Sequence, residues 1–337
     1  MDNSFAIYRE ANDNHIYLCK GSCQKLQENL AFHNFPHGFI ISPWAKSNEL
    51  WCILGDIEII YEIEIHDFLR DFAFEINETQ TSSTTYSEFK NEVLSIQKEI
   101  ALNNFEKAVA SRIESSSENL NVEKIANWFQ LLLQNHQNSF VSLVYTSEFG
   151  LWIGATPETL ISYKNNVVQT MSLAGTLINK NDQWSAKEAL EQSVTSKFIY
   201  ETLQQYAKTP IEPTSIDEST SGRLRHLKSG FKTEIAATDL ADLLELISPT
   251  PAVGGYPKEA AVKWLLKNET YTRELFTGFM GPNTENKLLL LVNLRCAKIT
   301  QNQHIYFAGC GVNTGSDVDK EWLETDAKMN VIRSYWN

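Results

Sequence analysis

The sequence has 337 residues, of which 42% are hydrophobic and 21% charged, a balance typical of soluble globular proteins. This length suffices for one large domain or two ordinary ones with a sizeable buried core. The formal net charge of −13 argues against binding to nucleic-acid phosphates, which requires a basic surface. It suits a small-molecule substrate or a divalent cation, although a negative surface also serves solubility alone.

The cysteines are sparse, odd in number and without the paired spacing of a zinc site: Cys19, Cys23, Cys52, Cys296 and Cys310. Such a set predicts reduced thiols that pack as small core residues in a reducing compartment. The first residues show no basic region followed by an apolar run, and no apolar stretch has the length of a membrane span. We therefore expect a soluble cytoplasmic protein that acts without a membrane.

The N-terminal part of the chain has the pattern of short strands. Runs of β-branched and aromatic residues, separated by Gly, Pro and Asn, occur at "GFIISPW", "LWCILG" and "IEIIYEIEI". The polar residues 77–88 predict an exposed loop. From Tyr86 onwards apolar residues recur at helical spacing, which predicts one buried helix face formed by Phe89, Val93, Ile96 and Ile100.

The rest of the chain mixes strand and helix patterns. Strands are predicted at "KAVASRIE", "SFVSLVYT", "GLWIGATPE", "TLISY" and "VVQTMSLAGT", with helices at "VEKIANWFQLLLQ" and over residues 183–206. The segment "GRLRHLKSGFKTEI" predicts a hairpin, and short helices are expected near Leu240 and Ala260. Two long strands, "KLLLLVNLRCAKI" and "HIYFAGCGV", precede a last helix with Ser316 as its N-cap and with Asp317 and Asp319 in its first turn.

The order of these elements indicates the fold class. Strands occur in groups, and helices do not alternate strictly with them, which predicts an α+β fold with mainly antiparallel sheets and helices packed outside. No Gly-rich loop lies between a strand and a helix, as a phosphate-binding loop requires. Since no linker is evident, we predict a single domain over residues 1–337, with a strand-rich part (residues 1–85) and a motif-bearing part (residues 86–337).

Two pairs of glutamates repeat the same three-residue step on two distant predicted helices: Glu188 with Glu191, and Glu321 with Glu324. Residues three apart lie on one helix face, so each pair projects together. Such pairs are common on solvated faces, and this is the simpler interpretation of either pair alone. If the two helices face each other, four carboxylates would surround a hard cation such as Mg²⁺.

A larger set of motifs resembles the chorismate-utilising enzymes, the family of isochorismate, salicylate, anthranilate and aminodeoxychorismate synthases. The motifs follow the family's order and cover about two thirds of the chain: "FEKAVASR", "GATPETL", "SLAGT", "KEALEQ", "RHLKSGF", "SPTPAVGGYPKEAA", "RELFTGFMGP", "LLVNLRCAKI" and "YFAGCGVNTGSDVDKEWLETDAK". Each motif is weak alone, whereas the ordered set is specific. The N-terminal part carries little of the resemblance. The resemblance as a whole implies a single chorismate-binding domain.

The resemblance implies that Glu188, Glu191, Glu321 and Glu324 hold Mg²⁺, which in turn holds the ring carboxylate of chorismate. Of these four, Glu191 and Glu324 are favoured as the direct ligands. Many relatives have Glu-His at the earlier step, where this chain has Gln192 after the glutamate. We expect this difference to alter a neighbouring contact and not the metal.

The same resemblance assigns the chemistry to Lys107 and Glu158. Family members that add water have a lysine at the first position, where ammonia-using members typically have glutamine. A lysine in a desolvated pocket can lose its proton near neutral pH and activate water as a general base. Glu158 matches the family's general acid, which protonates the departing ring hydroxyl and needs a raised pKa. Outside this motif context, a surface lysine and a solvated glutamate would be the simpler interpretations.

Residues expected to bind the substrate also follow from the matching motifs. Arg295 resembles the arginine that grips the enolpyruvyl carboxylate, and Lys328 resembles a second carboxylate anchor. The other expected substrate contacts are Gly175, Thr176, Thr250, Gly309 and Gly311. His226 is expected either to border the pocket or to be an ordinary hydrogen-bonded core histidine.

Positions that vary within the family narrow the choice among the family's reactions. Ala174 stands where aminodeoxychorismate synthases commonly have a nucleophilic lysine, so covalent attack from that position is excluded. Phe276 replaces a frequent tyrosine and Ser248 a frequent histidine. We expect these two differences to change contacts near the substrate without touching the base, the acid or the metal.

Together these features predict an isochorismate synthase, an isomerase that converts chorismate reversibly to isochorismate with Mg²⁺, in menaquinone or siderophore biosynthesis. We expect no nucleic-acid partner and no obligatory glutaminase subunit. The nearest alternative is a salicylate synthase, which uses the same residues and then expels pyruvate. The alternative from a different class is a non-catalytic acidic protein that binds a metal.

Overall fold

The computed structural model describes residues 3–27, 35–179 and 181–336. In these ranges the strands are β1 (Ser4–Arg9), β2 (Ile16–Lys25), β3 (Gly38–Ser42), β4 (Trp51–Leu54), β5 (Ile57–Ile60), β6 (Lys107–Ser117), β7 (Phe140–Thr146), β8 (Gly150–Thr156), β9 (Thr159–Lys164), β10 (Val167–Leu177), β11 (Glu212–Pro213), β12 (Asp217–Ser221), β13 (Leu224–Glu234), β14 (Gly255–Tyr256), β15 (Phe279–Thr284), β16 (Lys287–Val292), β17 (Cys296–Ile299) and β18 (Gln303–Val312).

The helices in the same ranges are α1 (Glu64–Asp71), α2 (Tyr86–Ala101), α3 (Val122–Asn135), α4 (Ala186–Gln204), α5 (Leu240–Ile247), α6 (Lys258–Asn268) and α7 (Val318–Arg333), with a 3-10 helix at Ala237–Asp239. None of these helices combines enough length and apolar character to cross a lipid bilayer.

The strands form two antiparallel sheets that share β2. The first sheet has the order β5-β2-β1-β7-β8-β17-β18-β6-β14. The second has the order β2-β4-β3-β15-β16-β9-β10-β13, with β11 and β12 both paired to β13. Residues 16–19 of β2 pair with β5, whereas residues 22–25 pair with β4, so this strand passes from one sheet to the other.

The two sheets pack face to face, and helices cover their outer faces. Every residue of β7 is buried, because successive side chains of a strand point to opposite faces and both faces are covered. Phe140 and Val144 lie in the core between the sheets with Met280 of β15. Leu143 of the same strand packs on the outer face against Trp128 of α3.

The outer face of the second sheet is covered by α4 and α5. Ile199 of α4 and Leu243 of α5 share one buried cluster with Leu290 of β16. The layers therefore run helix, sheet, sheet, helix. This arrangement confirms the predicted α+β class with antiparallel sheets and external helices.

Helix α2 agrees with its sequence prediction in both position and buried face. It begins at Tyr86, and Thr85 forms a capping box with Glu88, in which each side chain accepts a hydrogen bond from the other residue's backbone N–H. The buried residues of the helix are the predicted Phe89, Val93, Ile96 and Ile100.

Among the strand predictions, the hairpin and the N-terminal run "IEIIYEIEI" were wrong. "GRLRHLKSGFKTEI" forms no hairpin by itself: it contains the single strand β13, and the turn lies before it at Gly222, whose φ of 60° suits glycine. The other arm of the hairpin is β12. "IEIIYEIEI" is a strand only in β5, and its last residues enter α1.

The last helix begins one residue later than predicted. Its N-cap is Asp317 and not Ser316, since the Asp317 carboxylate accepts a hydrogen bond from the backbone N–H of Lys320 at 3.0 Å.

The segment "KLLLLVNLRCAKI" is two strands in two different sheets, and not one long strand. β16 pairs with β9 and β15 in the second sheet, whereas β17 pairs with β8 and β18 in the first. The chain crosses between the sheets at residues 293–295, where Arg295 has a φ of 48°. This left-handed conformation is uncommon for a residue other than glycine, and it places an arginine at the junction of the two sheets.

The buried face of α2 gives a test of the fold. Ile96→Ala should lower the free energy of unfolding by about 2–5 kcal/mol, because it leaves a cavity at a fully buried position. Leu94→Ala on the same helix, where the side chain is 46% exposed, should change it by less than about 0.5 kcal/mol. Urea unfolding followed by circular dichroism measures both values, and equal losses would contradict the assigned helix face.

Candidate active site

A cleft of about 570 Å³, part of it open to solvent, lies where β6, β10 and β18 meet the helices α4 and α7. Most of the predicted site residues line this one cleft: Lys107, Glu158, Gly175, Thr176, Glu191, Arg295, Gly309, Gly311, Glu324 and Lys328. The structure therefore brings together residues that lie far apart in the sequence.

Lys107 is the first residue of β6 and is only 3% exposed. Its ammonium Nζ lies 3.8 Å from Glu191 Oε2 of α4. Burial lowers the pKa of Lys107, because the charged form is desolvated, while the Glu191 carboxylate opposes this shift. The lysine is thus positioned in the cleft as a group that can give up its proton more readily than a surface lysine.

Glu158 lies in the connection between β8 and β9 and is 2% exposed. Its backbone carbonyl accepts a hydrogen bond from Val292 N at 3.0 Å, and Thr156 Oγ1 donates to Val292 O at 2.6 Å, which fixes the connection against β16. Burial raises the pKa of Glu158 to about 8, although the charge of Arg295 opposes the shift. At neutral pH this carboxyl keeps its proton.

Gly311 of β18 leaves the space that the lysine occupies. A Cβ at this position would lie 2.7 Å from Lys107 Cε and 2.9 Å from Glu191 Oε2. Gly309 is similarly tight, since a Cβ there would lie 3.0 Å from Ala110 O, and its carbonyl accepts a hydrogen bond from Lys328 Nζ at 2.8 Å. These glycines are required by close packing inside the cleft.

Arg295 is held by a histidine that reaches across the cleft. Arg295 Nη2 donates to Nε2 of His226 at 3.2 Å, and His226 Nδ1 donates to the Gly175 carbonyl at 3.2 Å. These two partners assign the proton of the neutral ring to Nδ1. Burial lowers the pKa of His226 to about 3 and that of Arg295 to about 10, so the ring is neutral and the guanidinium charged.

Gly175 forms a bulge in β10, where the register with β13 shifts between Ala174 and Thr176. Its φ is 74°, and a Cβ would lie 3.0 Å from the Cβ of Glu188. The bulge therefore lets the first turn of α4 pack directly on the strand.

Charged side chains of α4 and α7 meet at one end of the cleft. Lys187 Nζ lies 2.7 Å from Glu321 Oε1 and 3.4 Å from Glu191 Oε1. Lys328 Nζ lies 2.6 Å from Glu324 Oε1. All three carboxylates are at least nine-tenths buried, so their charges are balanced by lysines more than by water.

Residues 66–335 match the protein family described as "Chorismate binding enzyme". The chain belongs to the chorismate binding enzyme family. This finding confirms the resemblance that the ordered motifs predicted.

Curated relatives include isochorismate synthase EntC of Escherichia coli strain K12, which is 28% identical over 240 residues, covering 67% of this chain and 61% of that protein. The salicylate biosynthesis isochorismate synthase of Pseudomonas aeruginosa PAO1 is 31% identical over 195 residues, covering 54% of this chain and 41% of that protein. The matched region thus spans about three fifths or less of these relatives.

The whole architecture resembles solved structures of the family. A putative 2,3-dihydroxybenzoate-specific isochorismate synthase, DhbC from Bacillus anthracis, superposes with a TM-score of 0.79 over 98% of this chain and 96% of that chain. The sequence identity is 21%, so this likeness establishes the fold.

Three predicted site residues of this chorismate binding enzyme lie outside the main cleft. Glu188 and Glu321 line an adjoining cleft at the start of α4 and α7. The Glu188 carboxylate already has partners at the start of its own helix: its Oε2 accepts hydrogen bonds from the backbone N and the Oγ of Ser185 in a capping box. Thr250 is buried outside the cleft lining, and its Oγ1 forms no hydrogen bond with any residue the structure describes.

The acidic end of the cleft is not a ready-made metal centre. Across residues 3–27, 35–179 and 181–336, no three His, Cys, Asp or Glu side chains are grouped so as to hold a metal ion. The ammonium of Lys187 lies between Glu191 and Glu321 and forms an ion pair with Oε1 of each, whereas Glu321 Oε2 has no partner among the described residues. A buried carboxylate oxygen without a partner, beside two that already bind an ammonium, suits a further cation.

The sequence interpretation gave no role to Lys187 or to Thr277, which lines the cleft with a φ of 62°. The signal for Lys187 is its position four residues before Glu191, the spacing of an ion pair along one helix face. Nothing in the local sequence marks Thr277. It lines the cleft because the loop before β15 adopts an uncommon backbone conformation.

The tight packing at Gly311 gives a second test. Gly311→Ala should destabilise the protein by about 1–3 kcal/mol, because the added methyl group would displace Lys107 or Glu191. Gly315→Ala is the matched control, since its Cβ would lie at an ordinary 3.5 Å from Asn313 Oδ1. Chemical unfolding of both variants measures the difference, and a Gly311→Ala variant as stable as the control would contradict the packing described for the cleft.

Proposed function

We propose that this protein is an isochorismate synthase that converts chorismate reversibly to isochorismate. One observation carries the proposal: a buried lysine and a buried carboxyl line the same cleft, and burial moves the pKa of each toward neutrality from opposite sides. Such a pair can supply a general base and a general acid at one pH. The isochorismate synthases among the relatives support the same reaction.

In the proposed reaction Lys107 takes a proton from water, whose oxygen forms a bond to ring carbon 2. The ring double bonds shift, the bond from carbon 4 to its hydroxyl breaks, and Glu158 donates its proton to the departing oxygen. One water molecule enters and one leaves, so the reaction is an isomerisation. The lysine ends protonated and the glutamate ionised, and proton exchange with solvent restores both. In the reverse direction the two residues exchange roles.

The substrate carries two carboxylates, and the cleft offers cationic groups that match them. Arg295 presents a planar guanidinium that is already oriented by His226, which suits bidentate binding of a carboxylate. Lys328 lies between Glu324 and the Gly309 carbonyl. The Gly175 bulge and the Thr176 hydroxyl border the same space.

The acidic end of the cleft is the proposed Mg²⁺ site. Its buried carboxylates have the donor chemistry that Mg²⁺ prefers, and Glu321 Oε2, which has no partner among the described residues, supports this assignment. We propose Glu191, Glu321 and Glu324 as the residues that would hold the ion. Glu188 contributes less in the described conformation, because it caps α4. When bound, Mg²⁺ would supply positive charge that attracts the ring carboxylate of the substrate.

Product analysis is the direct test of this function. Purified protein mixed with chorismate and Mg²⁺, without ammonium salts, should produce isochorismate up to an equilibrium mixture, detected by chromatography. A chelator should stop the reaction. Salicylate with pyruvate would instead identify a salicylate synthase with the same site, and unchanged chorismate would contradict an enzymatic role.

The proposed base can be tested by substitution. Lys107→Ala should lower kcat by about 10²–10⁴-fold, since water would lose its proton acceptor. Lys164→Ala removes an exposed lysine on β9 and should leave the rate unchanged. Steady-state assays with isochorismate detection measure both variants. Unchanged turnover in Lys107→Ala would remove the lysine from the mechanism.

The proposed acid predicts a loss of activity at high pH. Glu158 must hold its proton to donate it, and its pKa of about 8 means that the protonated fraction falls above this pH. The value of kcat/KM for chorismate should therefore fall about tenfold per pH unit above pH 8. Glu158→Gln should be nearly inactive at every pH. A rate that stays constant to pH 10 in the native protein would argue against this acid.

A further inference from the structure

Lys187 lies where the proposed metal ion would sit. Its ammonium contacts Glu321 Oε1 at 2.7 Å and Glu191 Oε1 at 3.4 Å, so it bridges helices α7 and α4. Burial disfavours its charge, but the surrounding carboxylates outweigh burial and raise the pKa of Lys187. The side chain is 19% exposed, more than either carboxylate that it contacts. It is thus a charged group at the edge of a buried acidic cluster.

Every carboxylate of the cluster has a lysine partner without any metal. Lys328 pairs with Glu324 at 2.6 Å, and the ammonium of Lys187 lies 3.4 Å from Glu191. With the α4 lysine on Glu321, each buried carboxylate has a lysine within ion-pair distance. A divalent ion added beside Lys187 and Lys328 would place four positive charges around three carboxylates in a poorly hydrated space, which is unfavourable.

From this geometry we infer that Lys187 is an internal substitute for the metal ion, which holds the carboxylates together in the metal-free enzyme and moves out when Mg²⁺ binds. This inference rests on the proposed metal site. It assigns to Lys187 a positioning role that precedes the reaction, and not a catalytic one.

The structure provides a place for the displaced ammonium. Lys187 lines the adjoining cleft together with Asp182, Glu188 and Asp317, which are polar or acidic groups nearer to solvent. A lysine has a flexible four-carbon stem and a compact charge, so its ammonium can move by several ångströms without movement of the helix backbone. The adjoining acidic groups would receive the charge that leaves the buried cluster.

The charge balance also links the metal to the substrate. Mg²⁺ adds two positive charges, and chorismate adds two carboxylates to the same cleft. Each ligand therefore reduces the electrostatic cost of the other, and by thermodynamic linkage the effect on affinity is reciprocal. With Lys187 in place, the enzyme should bind Mg²⁺ weakly until the anionic substrate is present.

Calorimetric titration of the full chain with Mg²⁺ alone tests the role of Lys187. Lys187→Met should bind Mg²⁺ at least about tenfold more tightly than the native protein, because one competing positive charge is removed. Lys187→Arg keeps the charge and should bind as weakly as the native protein. Lys320→Met removes an exposed lysine of the adjoining cleft and should change the affinity by less than about twofold.

The results separate this inference from the proposed metal site. If native protein and Lys187→Met bind Mg²⁺ equally, or the variant binds more weakly, the metal site stands and the displacement by metal is refuted. If neither binds Mg²⁺, with or without chorismate, the metal site and the inference both fail.

A measurement on the native protein avoids any effect of substitution on folding. Acetylation by acetic anhydride, quantified for each lysine by mass spectrometry, should increase at Lys187 when Mg²⁺ is saturating, because the displaced amine becomes accessible. Lys320 is already exposed and should react equally with and without Mg²⁺. Unchanged or reduced labelling of Lys187 would overturn the inference.

Discussion

Removal of water from charged groups is the physical constraint on which this cleft depends. Burial makes a lysine easier to deprotonate and a carboxyl harder to ionise. In this cleft it lowers the pKa of Lys107 and raises the pKa of Glu158. On an exposed surface the two groups would be a cation and an anion at neutral pH, with no capacity for the proposed proton transfers. The apolar layers around the cleft are therefore part of its chemistry.

The architecture explains how a largely buried cleft can contain so many ionisable groups. Two sheets and two layers of helices supply the surrounding core, and the strands that carry the site run between them. Arg295 lies at the crossing from β16 to β17, where the chain leaves one sheet for the other and its regular strand hydrogen bonds are interrupted. Compensating pairs, such as Lys328 with Glu324, then stabilise charges that burial alone would disfavour.

The sequence predicted the elements with clear periodicity, and most residues that it selected from distinctive motifs line one cleft. It could not predict the crossing at residues 293–295, because the apolar pattern continues through it and only the tertiary packing separates the two strands. The helix spacing alone does not distinguish Glu188 from Glu191, and the preference for Glu191 came from the family resemblance; in the structure the first caps α4 and the second is buried. The position of Lys187 depends on the approach of α7, which no local pattern encodes.

A series of contacts in the cleft affects the entropy of ligand binding. Arg295 contacts His226, His226 contacts the Gly175 carbonyl, and Gly175 packs against the first turn of α4. Each of these groups is restrained by the next before any ligand arrives, so the guanidinium has few rotamers left to lose. The main ordering cost of binding then falls on the ligand, and for chorismate it falls on the rotatable enolpyruvyl ether more than on the ring. Affinity in such a cleft can come from a small number of fixed contacts.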